Sequence, residues 1–83
     1  MEVKVLGPGC ARCKNLYQEA EAAIRQSGVA ATLVKVESME EILRHDVLST
    51  PGLVIDGVVR STGRVPKAAE IAGWLIEKAS GAK

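Results

Sequence analysis

Residues Glu2–Leu6 (EVKVL) alternate between polar and apolar and repeat valine, a period-two pattern that predicts a strand. Gly7, Pro8 and Gly9 break it. From residue 10 to about 26 the period becomes helical. Leu16, Ala20, Ala23 and Ile24 recur at i, i+4, i+7 and i+8 as one apolar stripe. Ser27-Gly28 supplies the stop, with Gly28 able to turn left-handed. Residues 29–37 (VAATLVKVE) predict a second strand, and a crossover of this length implies a right-handed parallel pair. Ser38 and Glu41 form a capping-box pattern that opens a second helix. Met39, Ile42 and Leu43 are expected to face inward, with the helix ending near His45-Asp46. Beyond the STPG break at residues 49–52, two short apolar runs flank Asp56-Gly57, a pair suited to a type I′ turn and so to a hairpin. Residues 65–80 predict the last helix. Pro66 is expected in its first turn, and Ile71, Trp74, Leu75 and Lys78 share a face along which the lysine stem can lie. Residues 80–83 are expected to fray.

The element order is βαβαββα. It predicts one α/β domain over residues 1–83, a four-stranded mixed sheet with helices on both faces. Neither a repeat nor a linker divides the chain. Composition narrows the partners. The 83 residues carry 11 basic and 10 acidic side chains, a balance that argues against a nucleic-acid groove or an anionic membrane. No apolar run approaches the roughly 18–20 residues of a membrane span. The start, MEVKVLGPG, lacks the apolar core of a signal peptide, so the chain is expected in the cytoplasm, as a monomer. With no Phe, one Trp and one Tyr, the core must be aliphatic.

The two cysteines change the picture most. Cys10 and Cys13 sit in GPGCARCKN, where the first strand gives way to the helix. A reducing cytosol does not favour a permanent staple. Closing so small a loop contributes about 2 kcal/mol, against about 4–5 kcal/mol for a loop of some hundred residues. Reversible chemistry fits better. A helix start presents unpaired N–H groups and the positive end of the macrodipole, and both favour thiolate over thiol. Arg12 and Lys14 add positive charge, and no acidic residue falls between Glu2 and Glu19 in sequence. Thiols so placed titrate at roughly 3.5–7.5 rather than about 8.5. Cys10, nearer the helix end, is the expected nucleophile. Cys13, one turn inside, is the expected resolving thiol, within disulfide reach.

Other readings stay open. Both cysteines could be small core fillers. Zinc would need four ligands, so two cysteines and the lone His45 would have to be shared across a dimer. A soft-metal module or metallochaperone could also use the Cys10 and Cys13 thiolates, which suit Cu(I). Small βαββαβ metallochaperones place CxxC similarly but end on a strand, whereas this chain ends on the helix pattern around Trp74. A non-catalytic interaction domain with the same fold is a further rival, against which the intact cysteine pair speaks.

The βαβαββα order, the CxxC after the first strand and STPGLVIDGVV opening the hairpin together resemble the small thioredoxin-like, or glutaredoxin-like, redox-active disulfide proteins. The resemblance covers nearly the whole chain. It implies a thiol–disulfide oxidoreductase acting on a disulfide-containing protein or a small thiol and recharged by a reductase, with no cofactor beyond a redox-active Cys10–Cys13 disulfide. From the residues alone Pro51 reads as a trans turn residue. The resemblance implies a cis bond beside the disulfide, which turns the Thr50 backbone outward to pair with an extended substrate segment. The STGR stretch at residues 61–64 falls where glutaredoxins hold the carboxylate end of glutathione, so Arg64 and the N–H groups opening the last helix could bind an anion. Tyr17, on the face of Cys10 and Cys13, could wall the site or simply pack. Gly9, Ala11 and Arg12 complete the candidate supporting positions. Thioredoxins proper carry aromatic residues before the first cysteine and Gly-Pro between the pair, where this chain has Gly9 and Ala11-Arg12. Their buried acid six residues before the first cysteine lands on Lys4, which reads as a strand lysine reaching solvent. That leaves Cys13 without an identified proton acceptor.

Overall fold

A computed structural model describes residues 1–80 except Cys10, Asp46 and Leu48. The expected helical start at Cys10, the helix end at Asp46 and fraying of 81–83 fall outside the described residues. In chain order the elements are β1 (Glu2–Leu6), α1 (Ala11–Ser27), β2 (Thr32–Val36), α2 (Met39–Arg44), β3 (Gly52–Ile55), β4 (Val58–Thr62) and α3 (Ala68–Ala79). The sheet runs β2-β1-β3-β4, with β1 and β2 parallel and the other two pairings antiparallel. This is the predicted four-stranded mixed sheet.

Each face of the sheet buries its own cluster. Val3 and Val5 of β1 and Leu53 and Ile55 of β3 meet Leu16, Ala20 and Ala23 of α1 and Ile71 and Leu75 of α3. On the opposite face Leu6, Val36, Ile42, Val47 and Val54 form a smaller cluster under α2. All four residues of β3 are buried, because helices or loops cover both of its faces. That is why LVI reads as a continuous apolar run rather than an alternation.

Local chemistry explains most boundaries. Gly28 ends α1 at φ +69, its N–H donating to the Ile24 carbonyl at 3.2 Å. Ser38 caps α2, its hydroxyl accepting from the Glu41 N–H at 3.5 Å. In the hairpin turn Asp56 and Gly57 hold φ 48 and φ 82, as a type I′ turn requires. Asp56 is also tied to the start of β1: its carboxylate accepts from the Glu2 N–H at 2.7 Å, and its own N–H donates to the Glu2 carbonyl at 2.8 Å.

Four expectations need correction. Only Ile42 of α2 is buried, whereas Met39 and Leu43 are 55% and 52% exposed. A helix of less than two turns buries only a narrow stripe, and those two flank it. Second, β2 starts at Thr32, since residues 29–31 are lead-in, of which Val29 and Ala31 pack on the first cluster. Third, Pro66 precedes α3 instead of opening it, because Lys67 is the cap residue. Lys67 has no side-chain cap bond; the Glu19 carboxylate of α1 takes the Ala68 N–H instead, at 2.8 Å. Fourth, Lys78 is exposed and Trp74 only half-buried. Arg60 of β4 lies 5.3 Å from the Trp74 ring centroid and covers that edge in place of Lys78. No helix among the described residues is long and apolar enough to cross a membrane.

Candidate functional site

Strands β1 and β2 end, and β3 begins, at one end of the sheet, where three connections converge. The first follows β1. There the Gly7 N–H donates to the Val36 carbonyl at 2.9 Å, which pins the turn to the end of β2. Gly7 is buried, and a Cβ built on it would lie 2.2 Å from the Cys13 sulfur and 3.1 Å from the Cys13 Cβ. Cys13, in the first turn of α1, therefore rests its thiol on bare backbone and is 5% exposed. The same Gly7 position lies 3.9 Å from the Thr50 Cβ, so Thr50 borders this contact.

The second connection carries Thr50 and Pro51. Their peptide bond is cis, with Pro51 buried and Thr50 half-buried. The third runs from β4 to α3. Its Gly63, at φ +72, donates its N–H to the Pro51 carbonyl at 2.9 Å. Arg12, between the two cysteines in sequence, reaches across and donates from its guanidinium to the Gly63 carbonyl. A continuous path of bonds thus joins the start of α1 through Gly63 to Pro51.

Gly9, Arg12, Cys13, Thr50 and Pro51 are accordingly gathered at one end of the sheet, with Ala11 exposed at the start of α1. Cys10 lies outside the described residues. Tyr17 is half-buried against the α1/α3 cluster, with the Lys35 ammonium 5.5 Å from its ring centroid. Among the described residues its contacts are with that cluster and with Lys35. Lys4 is a strand lysine, 3.7 Å from the Glu2 carboxylate. His45 is the residue that ends α2.

At Arg64, where an anion site is expected, the guanidinium has a partner within the chain. Both guanidinium arms donate to Glu70, at 3.2 and 2.9 Å. That hydrogen bonding holds the Glu70 carboxyl below the ordinary carboxylate range and raises Arg64. With Glu19 on the Ala68 N–H, two carboxylates of the chain itself already hold these donors.

Two site residues escaped sequence reasoning. Gly7 read only as a breaker, although a glycine ahead of CxxC is the available signal for close approach. Glu37 read as the end of a strand. Its carboxylate oxygen lies 2.9 Å from where a Cβ on Gly9 would be, and Gly9 holds φ +90. The expectation that no acid opposes the local positive charge holds along the sequence but not in space.

A helix start bearing Cys13 beside the Thr50–Pro51 loop, on a βαβαββα sheet, is the arrangement of a thioredoxin-like protein. The family model described as thioredoxin domain matches residues 1–76. A thioredoxin of Methanothermobacter thermautotrophicus is 35% identical over 71 residues, covering 86% of this chain and 92% of that protein. A thioredoxin of Methanocaldococcus jannaschii is 33% identical over 69 residues, covering 83% of this chain and 79% of that protein. The chain belongs to the thioredoxin family, and that membership supports a thiol–disulfide oxidoreductase-like function.

Proposed function

We propose that the chain reduces disulfides of protein partners, with Cys10 as nucleophile and Cys13 as resolving thiol. The observation that carries this reading is the burial of the Cys13 sulfur against Gly7, beside Thr50, in the first turn of α1. A bulky disulfide cannot readily reach a thiol so placed. A sulfur already bound to Cys10, three positions earlier in the chain, can.

The Cys10 thiolate attacks one sulfur of the partner disulfide. A Cys10–partner bond forms, the partner S–S bond breaks, and the second partner sulfur leaves as thiolate. Cys13 then loses its proton and attacks Cys10, forming the Cys10–Cys13 disulfide and releasing the first partner sulfur. In all, two electrons pass to the partner and Cys13 gives up one proton; the other partner thiolate takes its proton from water. A reductase returns the chain to the dithiol. An extended substrate segment alongside Thr50 would meet the Arg12–Gly63–Pro51 path. Since Glu70 and Glu19 occupy the donors that would hold a small anionic thiol, protein disulfides fit better than glutathione.

Trapping tests the roles. Cys13→Ser is expected to accumulate a mixed disulfide through Cys10, and Cys10→Ser is not. Equal trapping by both variants, or by neither, contradicts the assignment.

A further inference from the structure

From the contact of its carboxylate with Gly9, the residue before Cys10, the geometry points to Glu37 as a positioning charge that weakens the Cys10 thiolate and keeps the cysteine pair reducing. This rests on the reading of Cys10 as nucleophile. Glu37 directly follows the last residue of β2, and the Gly7–Val36 hydrogen bond holds the 7–9 turn against that strand end. The oxygen is 2.9 Å from the Cβ position of Gly9. Successive Cα atoms are about 3.8 Å apart, which keeps the carboxylate within about 8 Å of the Cys10 Cα whatever the local conformation. That is about one Debye length at physiological salt, so the charge is felt but screenable.

Among the described residues no charged group forms an ion pair with Glu37. On α1, Arg12 is bound to the Gly63 carbonyl and Glu19 to the Ala68 N–H. Lys14 is exposed and forms no ion pair among the described residues. On β2, Lys35 lies over Tyr17; on β1, Lys4 pairs with Glu2. Past β4, Arg64 pairs with Glu70, and on α2 His45 ends the helix. Glu37 is exposed and has no hydrogen bond or ion pair among the described residues, so no contact there neutralises its charge before it acts, through solvent, on the turn.

A negative charge raises the free energy of the dithiol form whenever Cys10 is ionised. The disulfide is uncharged and escapes the penalty. Taking the disulfide to a Cys10 thiolate and Cys13 thiol consumes two electrons and one proton, and Glu37 disfavours that product. The helix start, Arg12 and Lys14 pull the other way. Glu37 offsets them and lowers the reduction potential.

The test is Glu37→Gln, with Glu37→Asp as the charge-retaining control. Reduced protein is alkylated with iodoacetamide across pH, with peptide mapping of the labelled cysteine, in low salt and in about 1 M salt, where screening is near 3 Å. Glu37→Gln is expected to raise the reactive thiolate fraction of Cys10 about threefold below its midpoint in low salt, and hardly at all in high salt. Equilibration with glutathione buffers is expected to favour the dithiol about threefold more, which is about 14 mV at 29.6 mV per tenfold. Glu37→Asp should stay near wild type. An unchanged Cys10 midpoint in Glu37→Gln, a change that survives high salt, or the same change in Glu37→Asp overturns the proposal while leaving Cys10 the nucleophile. Preferential labelling of Cys13 overturns both.

Discussion

At the hairpin end of the sheet, Gly57 holds φ 82 beside Asp56 at φ 48, and nothing lies within 4 Å of where a Cβ would stand. At the opposite end, Gly7 has no positive φ, yet a Cβ there would lie 2.2 Å from the Cys13 sulfur. Glycine thus answers a need for conformation at one end and a need for space at the other. The hairpin end is closed by turn chemistry and the two bonds between Asp56 and Glu2. At the cysteine end a thiol is seated on bare, buried backbone.

Breaking the cysteine end should have the largest effect. Gly7→Ala forces the sulfur or the turn to move, and is expected to cost about 1–3 kcal/mol in urea unfolding. Disulfide exchange should fall with it. Gly57→Ala is expected to cost about 1 kcal/mol, the left-handed penalty of a residue with a Cβ. Exchange should then be unchanged once the variant is folded. Normal exchange by Gly7→Ala would erase the contrast.

Glu19→Ala sharpens the comparison by uncapping α3, away from both ends. The lost hydrogen bond to the Ala68 N–H should cost about 1 kcal/mol, seen as a lower Tm. The smallest effect is expected for Arg64→Ala. Its pair with Glu70 is exposed, so the Tm should hardly move, and less still in high salt. The sign with pH follows from the lowered Glu70 carboxyl. Its stabilisation is present above the ordinary carboxylate value and fades as pH falls through the lowered one. In Arg64→Ala that acid-side dependence should shrink.

Elements and their order were legible because periodicity is local: the stripe of Leu16, Ala20 and Ala23 and the Asp56-Gly57 turn each lie within one segment. What the sequence hid depends on tertiary neighbours. The register shift at Leu53/Val54, which leaves Arg60 as the extra residue of β4, has no sequence mark in that hairpin. The Glu19 cap of Ala68 joins residues 49 positions apart. The exposure of Met39 and Leu43 follows from the shortness of α2, which its apolar pattern does not reveal. At the site, the cysteine spacing and the proline were legible as motifs. The seat of Cys13 on Gly7 and the approach of Glu37 to Gly9 exist only once β1 and β2 pair.

The most direct check on the division of labour is mapping which cysteine of the reduced wild-type protein alkylates first, and at what pH. The account predicts rapid modification of Cys10 with a midpoint below the free-thiol value of about 8.5, and slow modification of the buried Cys13. Equal labelling of both at an ordinary thiol midpoint, or faster labelling of Cys13, would contradict it.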